Sequence, residues 1–412
     1  MKFNKNFKEY LSLAKPVKTI IDWYDLYSGH YLKINPDFQK QIFGKAIKKA
    51  GDYSSLGRRL GIGRKTISGC FNLKRKPQID ILKKIADYCN YPLDKINCQI
   101  IEIAGLKPSL PFVLNNKEGA EIRAALISDG HIDKKDTSQC QYCALEKELH
   151  ERLINLCKKT FGEFGSKTYF NNGSNVTKFP SVIGNSLRLA GIPKGNKMLS
   201  NFYIPKDILL AKEDIQASYL RRVFDDEGDV CFDNYGKRAV RLTRSLDIGP
   251  IDLDISSEKW VKFEYANKFK HNLIFGEQLL LQKLGIDARL YSEGVYRNKK
   301  GNITAKWRIQ IGQQDQLKTF SKLINFNLSS KKEKLNKIIL SYQFRKLPNG
   351  KGKEEALEFI KKTINEKGFI RFKDLGKELV RTHRTYDLAG RYLNYFVNKK
   401  IIKKIRRGIY TI

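Results

Sequence analysis

Two segments of the chain, EIRAALISDGHI (121–132) and SYLRRVFDDEGDV (218–230), each carry an apolar helical stretch into an acidic residue followed by glycine. An isolated helix avoids that ending, because its carboxyl terminus already bears partial negative charge and repels Asp or Glu. A cation is therefore expected to compensate. Carboxylates set side by side and aimed at a phosphate backbone are natural ligands for a hard divalent ion, the usual catalyst of phosphodiester hydrolysis. The pattern points to metal-dependent nuclease chemistry.

Charge points to the same partner. A formal net charge of +35 over 412 residues is far more than solubility requires and favours a polyanion, nucleic acid first. The basic residues are spread among 20 Tyr and 23 Phe, so a folded protein with ample core is expected, in two to four domains. No apolar run is long enough to cross a membrane, and MKFNKNFKEY lacks the apolar core of a signal peptide. The expected location is cytoplasmic, at the nucleoid. Seven scattered cysteines predict no disulfide framework. Cys140 and Cys143 make one C-x-x-C with His150 beyond, but without a second pair they read as strand and core residues, not a zinc site.

Within an N-terminal helical domain (1–110), residues 53–92 carry Leu56, Leu60, Ile62 and Ile67 at the spacing of two short helices across a turn supplied by Gly61. The segment resembles the Cro and phage-repressor helix-turn-helix family. That resemblance places Arg64, Lys65, Thr66 and Ser68 against bases or phosphates; a basic hairpin packed on the rest of the protein is the plainer use of the same pattern. At the other end (352–412), EEALEFIKKTINEKG, FKDLGKELV and YDLAGRYLNYFVNKK read as amphipathic helices, and IIKKIRRGIYTI as a hairpin. Three helices and a basic hairpin resemble a winged helix with Arg406 and Arg407 at the wing tip, or else a protein-contact domain. LPNGKGK (347–353) is the expected linker.

The stretch between is twofold repeated. Strands are expected near 138–144, 166–170 and 175–180 with helices near 145–160 and 184–191, then strands near 238–243, 288–295 and 303–311 with helices near 272–284 and 314–324. Residues 246–268 read as an insertion.

IRAALISDG (122–130), LRRVFDDEG (220–228), GIPKGNK (191–197) with Ile204-Pro205, and INFNLSSKKEKL (324–335) together resemble the LAGLIDADG homing endonuclease family in its monomeric two-motif form. The resemblance implies an α+β fold: two pseudo-symmetric αββαββα halves (115–210 and 211–346), antiparallel saddles flanked by the helix-turn-helix and the winged helix. It implies that Asp129 and Glu227 hold magnesium, or manganese, over the scissile phosphates, with the carbonyls of Ser128 and Asp226 as further oxygen ligands. Lys197, and in the second half Lys331 or Lys332, would stabilise charge at the phosphate. Gly130 and Gly228 are expected in the left-handed cap that ends a helix. Ala120, Ala124 and Ser128 form a small-residue stripe for close helix packing; its counterpart, Ser218, Arg222 and Asp226, carries a guanidinium expected to turn aside and pair with Asp226.

The leading expectation is a free-standing, monomeric, site-specific endonuclease of double-stranded DNA. The chain's ends lack the nucleophile and terminal His-Asn of protein splicing, so no intein is expected. A DNA-binding regulator built on a weakened core is the alternative. An RNA-splicing maturase is a weaker third reading, since the flanking modules suit duplex DNA.

Overall fold

The computed structural model describes residues 5–134, 138–232, 237–249, 271–297, 301–342, 351–382, 384 and 386–412. The chain divides into two compact units, one comprising Met1–Glu227, Arg244–Leu280 and Ser292–Trp307, the other Gly228–Thr243, Leu281–Tyr291 and Arg308–Ile412.

The first unit begins with α1 (Lys5–Leu13), β1 (Ile20–Ile21), β2 (Leu32–Ile34), α2 (Pro36–Ala50), α3 (Tyr53–Leu60), α4 (Arg64–Phe71), α5 (Ile79–Tyr88), β3 (Ile100–Ile103), β4 (Lys107–Pro108) and β5 (Phe112–Val113). Asp52 starts α3 by accepting the backbone N–H groups of Ser54 and Ser55. Gly61 ends it at φ +67, a conformation glycine adopts without a Cβ penalty. The turn then passes so close to Gly57 that a Cβ there would lie 2.6 Å from the Ile62 carbonyl oxygen. Leu56, Ile67 and Cys70 are buried beneath the two helices.

Pairing and hydrogen bonds fasten this N-terminal module to later residues of the same unit. β1 pairs with β5, the Tyr27 N–H donates to Asn185 Oδ1 at 2.8 Å, and Tyr10 Oη donates to the Asn272 carbonyl while accepting the Ile204 N–H.

The first repeat runs α6 (Lys117–Ser128), β6 (Gly130–Ile132), β7 (Cys140–Ala144), α7 (Lys147–Phe161), β8 (Gly162–Glu163), β9 (Lys167–Asn171), β10 (Ser174–Phe179), α8 (Ser181–Leu189) and α9 (Lys206–Leu210). Its four-stranded antiparallel sheet has the order β6-β7-β10-β9, and β4 pairs with β8. Asn172 and Gly173, both at positive φ, make the two-residue turn between β9 and β10 that suits a twisted hairpin. The second repeat runs α10 (Glu213–Glu227), β11 (Gly228–Phe232), β12 (Arg238–Gly249), α11 (Asn272–Lys283), β13 (Arg289–Arg297), β14 (Ile303–Ile311), α12 (Gln314–Leu323) and α13 (Ser329–Ser341), with strand order β11-β12-β14-β13. Both repeats thus show the expected αββαββα order, and the molecule is α+β.

Details of the two repeats differ from the sequence reading. Strands β6 and β11 begin at the motif glycines themselves and have no counterpart in the periodicity, being short. Gly130 and Gly228 are not left-handed caps, since neither has positive φ. Gly130 instead allows β6 to leave the helix closely: a Cβ there would lie 2.4 Å from Leu126 Cδ1 and 2.5 Å from its Cα. Finally, β12 continues to Gly249 through residues 246–249, which the sequence pattern assigns to an insertion. Residues 250–268 of that segment lie outside the described residues.

In the second unit, α14 (Lys351–Lys367), β15 (Ile370–Arg371), α15 (Phe372–Arg381), α16 (Leu388–Asn398), β16 (Lys403–Arg406) and β17 (Ile409–Thr411) follow. Helix α14 takes up Lys351–Lys353 of the stretch expected as a linker, whose residues 347–350 lie outside the described residues. The core of these elements is Ile360, Ile370, Leu375, Leu379, Leu393, Phe396 and Tyr410, and the sheet order is β15-β17-β16. Gly408 at φ +78 sits in the turn between β16 and β17. Among the described residues no helix is long and apolar enough to cross a membrane.

Candidate functional site

Helices α6 and α10 pack along each other in the first unit. Small side chains on α6 permit this: Ala120 and Ala124 are fully buried and Ser128 nearly so. On α10, Arg222 is fully buried in the same stripe and turns aside as expected. Its Nε donates to Asp226 Oδ2 at 3.1 Å, Nη1 to the Leu149 carbonyl at 3.3 Å, and its guanidinium lies over the Tyr142 ring. Tyr142 Oη also donates to Asp226, at 2.7 Å. Asp226's carboxylate is therefore committed to two protein donors; burial still pushes its pKa up, against the opposing pull of Arg222 and Tyr142.

The first cation at the helix ends is Lys197, carried there by the GIPKGNK turn. Its Nζ donates to the carbonyls of Leu126, Ile127 and Ser128 at 2.9, 2.7 and 2.6 Å, satisfying the free carbonyls that end α6. Burial, with Arg244 nearby, lowers its pKa to about 8.

The second cation is Arg244 on β12. Nη1 donates to Glu227 Oε1 at 2.9 Å, while Nη2 donates to Glu277 Oε1 at 2.8 Å and to Ser128 Oγ at 3.2 Å. Glu277, on α11, is fully buried, and burial raises its pKa against the guanidinium's pull. Sequence reasoning does not single out Arg244 or Glu277. A signal exists for the former: Arg244 falls between Leu242 and Leu246 on the inward face of an alternating strand, where a charge needs a buried partner.

Asp129 remains. It caps α6 through its own N–H to the Ala125 carbonyl. Among the described residues its carboxyl takes no hydrogen bond or ion pair. Burial first, then the neighbouring Asp226 and Glu227, raises its pKa to about 7, with Arg244 and Lys197 opposing. Among the described residues, Asp129 thus lies with Asp226 and Glu227 near Arg244 and Lys197, and its carboxyl is the one of the three acids at the helix ends that makes no hydrogen bond or ion pair.

That unpartnered carboxyl is the test of a metal. Among the described residues no three His, Cys, Asp or Glu side chains are grouped as ligands, and the Ser128 carbonyl accepts Lys197. A hard ion such as magnesium, however, is commonly held by one or two carboxylates with water completing its sphere. Asp129 with Glu227, which would share its charge with Arg244, fits that smaller donor set.

The other sequence-predicted residues are carried by other elements. Lys331 and Lys332 are on the first turn of α13 in the second unit, and the charged neighbours that shift Asp129 are Asp226, Glu227, Arg244 and Lys197. His150 gives its ring nitrogens to Thr177 and the Ala144 carbonyl. Arg64 and Lys65 are exposed on the first turn of α4, and Thr66 and Ser68 are half-buried. Beside them a cleft of about 520 Å³ is lined by Thr66, Arg75, Lys76 and Lys84. Arg406 and Arg407 are exposed at the β16–β17 hairpin.

No curated protein matches the chain. Among solved structures, mesophilic variants of the homing endonuclease I-DmoI are similar at 12% identity, covering 54% of this chain and 98% of theirs with a TM-score of 0.34. Full-length DUF199/WhiA from Thermatoga maritima is similar at 12% identity, covering 69% of this chain and 91% of its own with a TM-score of 0.32. At those scores neither likeness bears on what this chain does. The family model described as Helix-turn-helix matches residues 45–96, enclosing the segment read from the sequence, and the chain therefore carries a helix-turn-helix module.

Proposed function

We propose that the protein is a site-specific endonuclease of double-stranded DNA, acting as a monomer because one chain supplies both motif helices. The observation that carries this reading is the convergence of Asp129, Glu227 and Lys197, distant in sequence, at the ends of the paired helices, with Asp129 left uncompensated. Asp129 and Glu227 would hold magnesium or manganese. When bound, such an ion supplies Lewis-acid charge at the scissile phosphate and lowers the pKa of water. Arg244 fixes the Glu227 carboxylate, and Lys197 holds the end of α6, so both acids present their oxygens from braced positions. The two buried cations also set positive charge beside the carboxylates, toward which a phosphodiester is drawn.

A second reading, a DNA-binding regulator, is favoured by one specific observation: Glu227 and the Ser128 carbonyl already have protein cations on them. The two separate in one assay. Plasmids carrying the source organism's DNA are incubated with the protein in magnesium, in calcium and in chelator. Cutting at one preferred site in magnesium, binding without efficient cutting in calcium, and loss of double-strand cleavage in Asp129→Asn and Glu227→Gln support the endonuclease. Tight binding with no cleavage in any divalent ion, and indifference to Glu227→Gln, supports the regulator.

A further inference from the structure

Arg244 holds two carboxylates at once, and they differ in what they are free to do. Glu277 on α11 is fully buried, and both of its oxygens accept from the guanidinium, Oε1 from Nη2 at 2.8 Å and Oε2 from Nε at 3.4 Å. Among the described residues Arg244 is the one hydrogen-bond and ion-pair partner of that side chain. Glu227 keeps 31% of its side chain exposed and takes a single bond from Nη1, on Oε1. The two-bonded edge of the guanidinium thus faces the buried acid, and one remaining N–H reaches the outer one.

A buried carboxylate is costly, so Glu277 needs a physical reason, and Arg244 supplies it: a buried guanidinium requires a counter-ion. Glu227 could have served as that counter-ion alone. The other buried arginine of the site shows the result, because Arg222 bonds one carboxylate, Asp226, and neither side chain of that pair is exposed at all. With two acids on one arginine, Arg244 and Glu277 together are neutral and Glu227 retains its charge. The difference matters to a divalent ion. A guanidinium with Glu227 as its sole partner would compete with the ion for that carboxylate, whereas one already neutralised orients the carboxylate and competes little.

We propose that Glu277 is a positioning residue of the metal site: it takes up the charge of Arg244, so that Arg244 orients Glu227 without neutralising it and the Glu227 charge stays available to a divalent ion. This rests on the metal-dependent reading of the site, and goes beyond it by giving a role to a buried acid that is no ligand itself.

The test titrates manganese into the full-length chain without DNA and reads the free ion by electron paramagnetic resonance, so that no cleavage enters the measurement. The wild type should bind, and Asp129→Asn should lose most of that binding. Glu277→Gln leaves the guanidinium with Glu227 as its only carboxylate, and manganese affinity should fall roughly 10- to 100-fold, as is usual when a residue supporting a ligand is changed. Its thermal midpoint should also fall, since a buried cation has lost a partner, and that drop alone decides nothing. The double variant Arg244→Gln, Glu277→Gln removes both charges and leaves no buried ion unpaired. Because the deleted pair is neutral, its manganese affinity should stay within several-fold of wild type. Binding tighter than wild type by roughly tenfold or more would show that Arg244 opposes the metal unshielded, and wild-type affinity in a folded Glu277→Gln would show a structural partner only. Either result overturns this assignment and leaves the metal reading standing. If the wild type binds no manganese, or binding is untouched by Asp129→Asn, the metal reading falls and this assignment with it.

Discussion

At the scale of the residue, the site is a problem of charge balance, and Asp129 is where the balance fails. A carboxyl whose folded pKa is raised to about 7 from an ordinary 3.8 binds a proton in the folded state that the unfolded chain has released. Its contribution to stability is present below pH about 4 and is lost as pH rises through about 7. In chelator, Asp129→Asn should therefore be more stable than the wild type at pH 8, by on the order of 4 kcal/mol, with the difference vanishing near pH 4. Urea unfolding at the two pH values measures it. A variant that is less stable at pH 8 would show that Asp129 is a structural cap and not an uncompensated ligand. Because functional residues are often kept at a cost in stability, the same change should abolish cleavage while strengthening the fold. The acids and Lys197 are legible in the sequence from their motifs. Arg244 and Glu277 are not, because their pairing joins a strand and a helix that no local pattern connects.

At the scale of the element, the acid–glycine pattern marks where each motif helix ends, but the glycine does not serve there as a left-handed cap. In the first repeat it is needed for proximity, since β6 starts against the side chain and backbone of Leu126. Gly130→Ala should therefore destabilise the protein by about 1–3 kcal/mol, the cost of overpacking a site with no room for a methyl group. Gly165→Ala is the control, because a Cβ there meets nothing within 4 Å. Equal denaturation midpoints for the two variants would remove the proximity argument. Periodicity locates α7, α8, α11 and α12, whose apolar stripes are long enough to register. It misses β6 and β11, short strands whose existence depends on pairing with β7 and β12 and not on their own residues.

At the scale of the whole molecule, the net charge of +35 makes affinity for DNA a matter of counterion release. Log affinity should fall steeply and linearly with log salt, and Arg406→Gln with Arg407→Gln should reduce the magnitude of that slope by roughly one per phosphate contact removed. An unchanged slope would free the β16–β17 hairpin from phosphate and leave it to protein contacts. By itself the sequence determined the partner class, the helix-turn-helix, the αββαββα repeat and the two acidic helix ends, because charge, apolar period and turn residues act over short stretches of chain. Only the tertiary structure decided which cations meet those acids. Lys197 caps the carbonyls of α6, Arg222 turns to Asp226, Arg244 divides itself between Glu227 and Glu277, and among the described residues the Asp129 carboxyl is left without a partner. Desolvation makes every unpaired buried charge costly, so the pairing is settled by which side chains packing brings within reach, a distance in space that the order of residues does not contain.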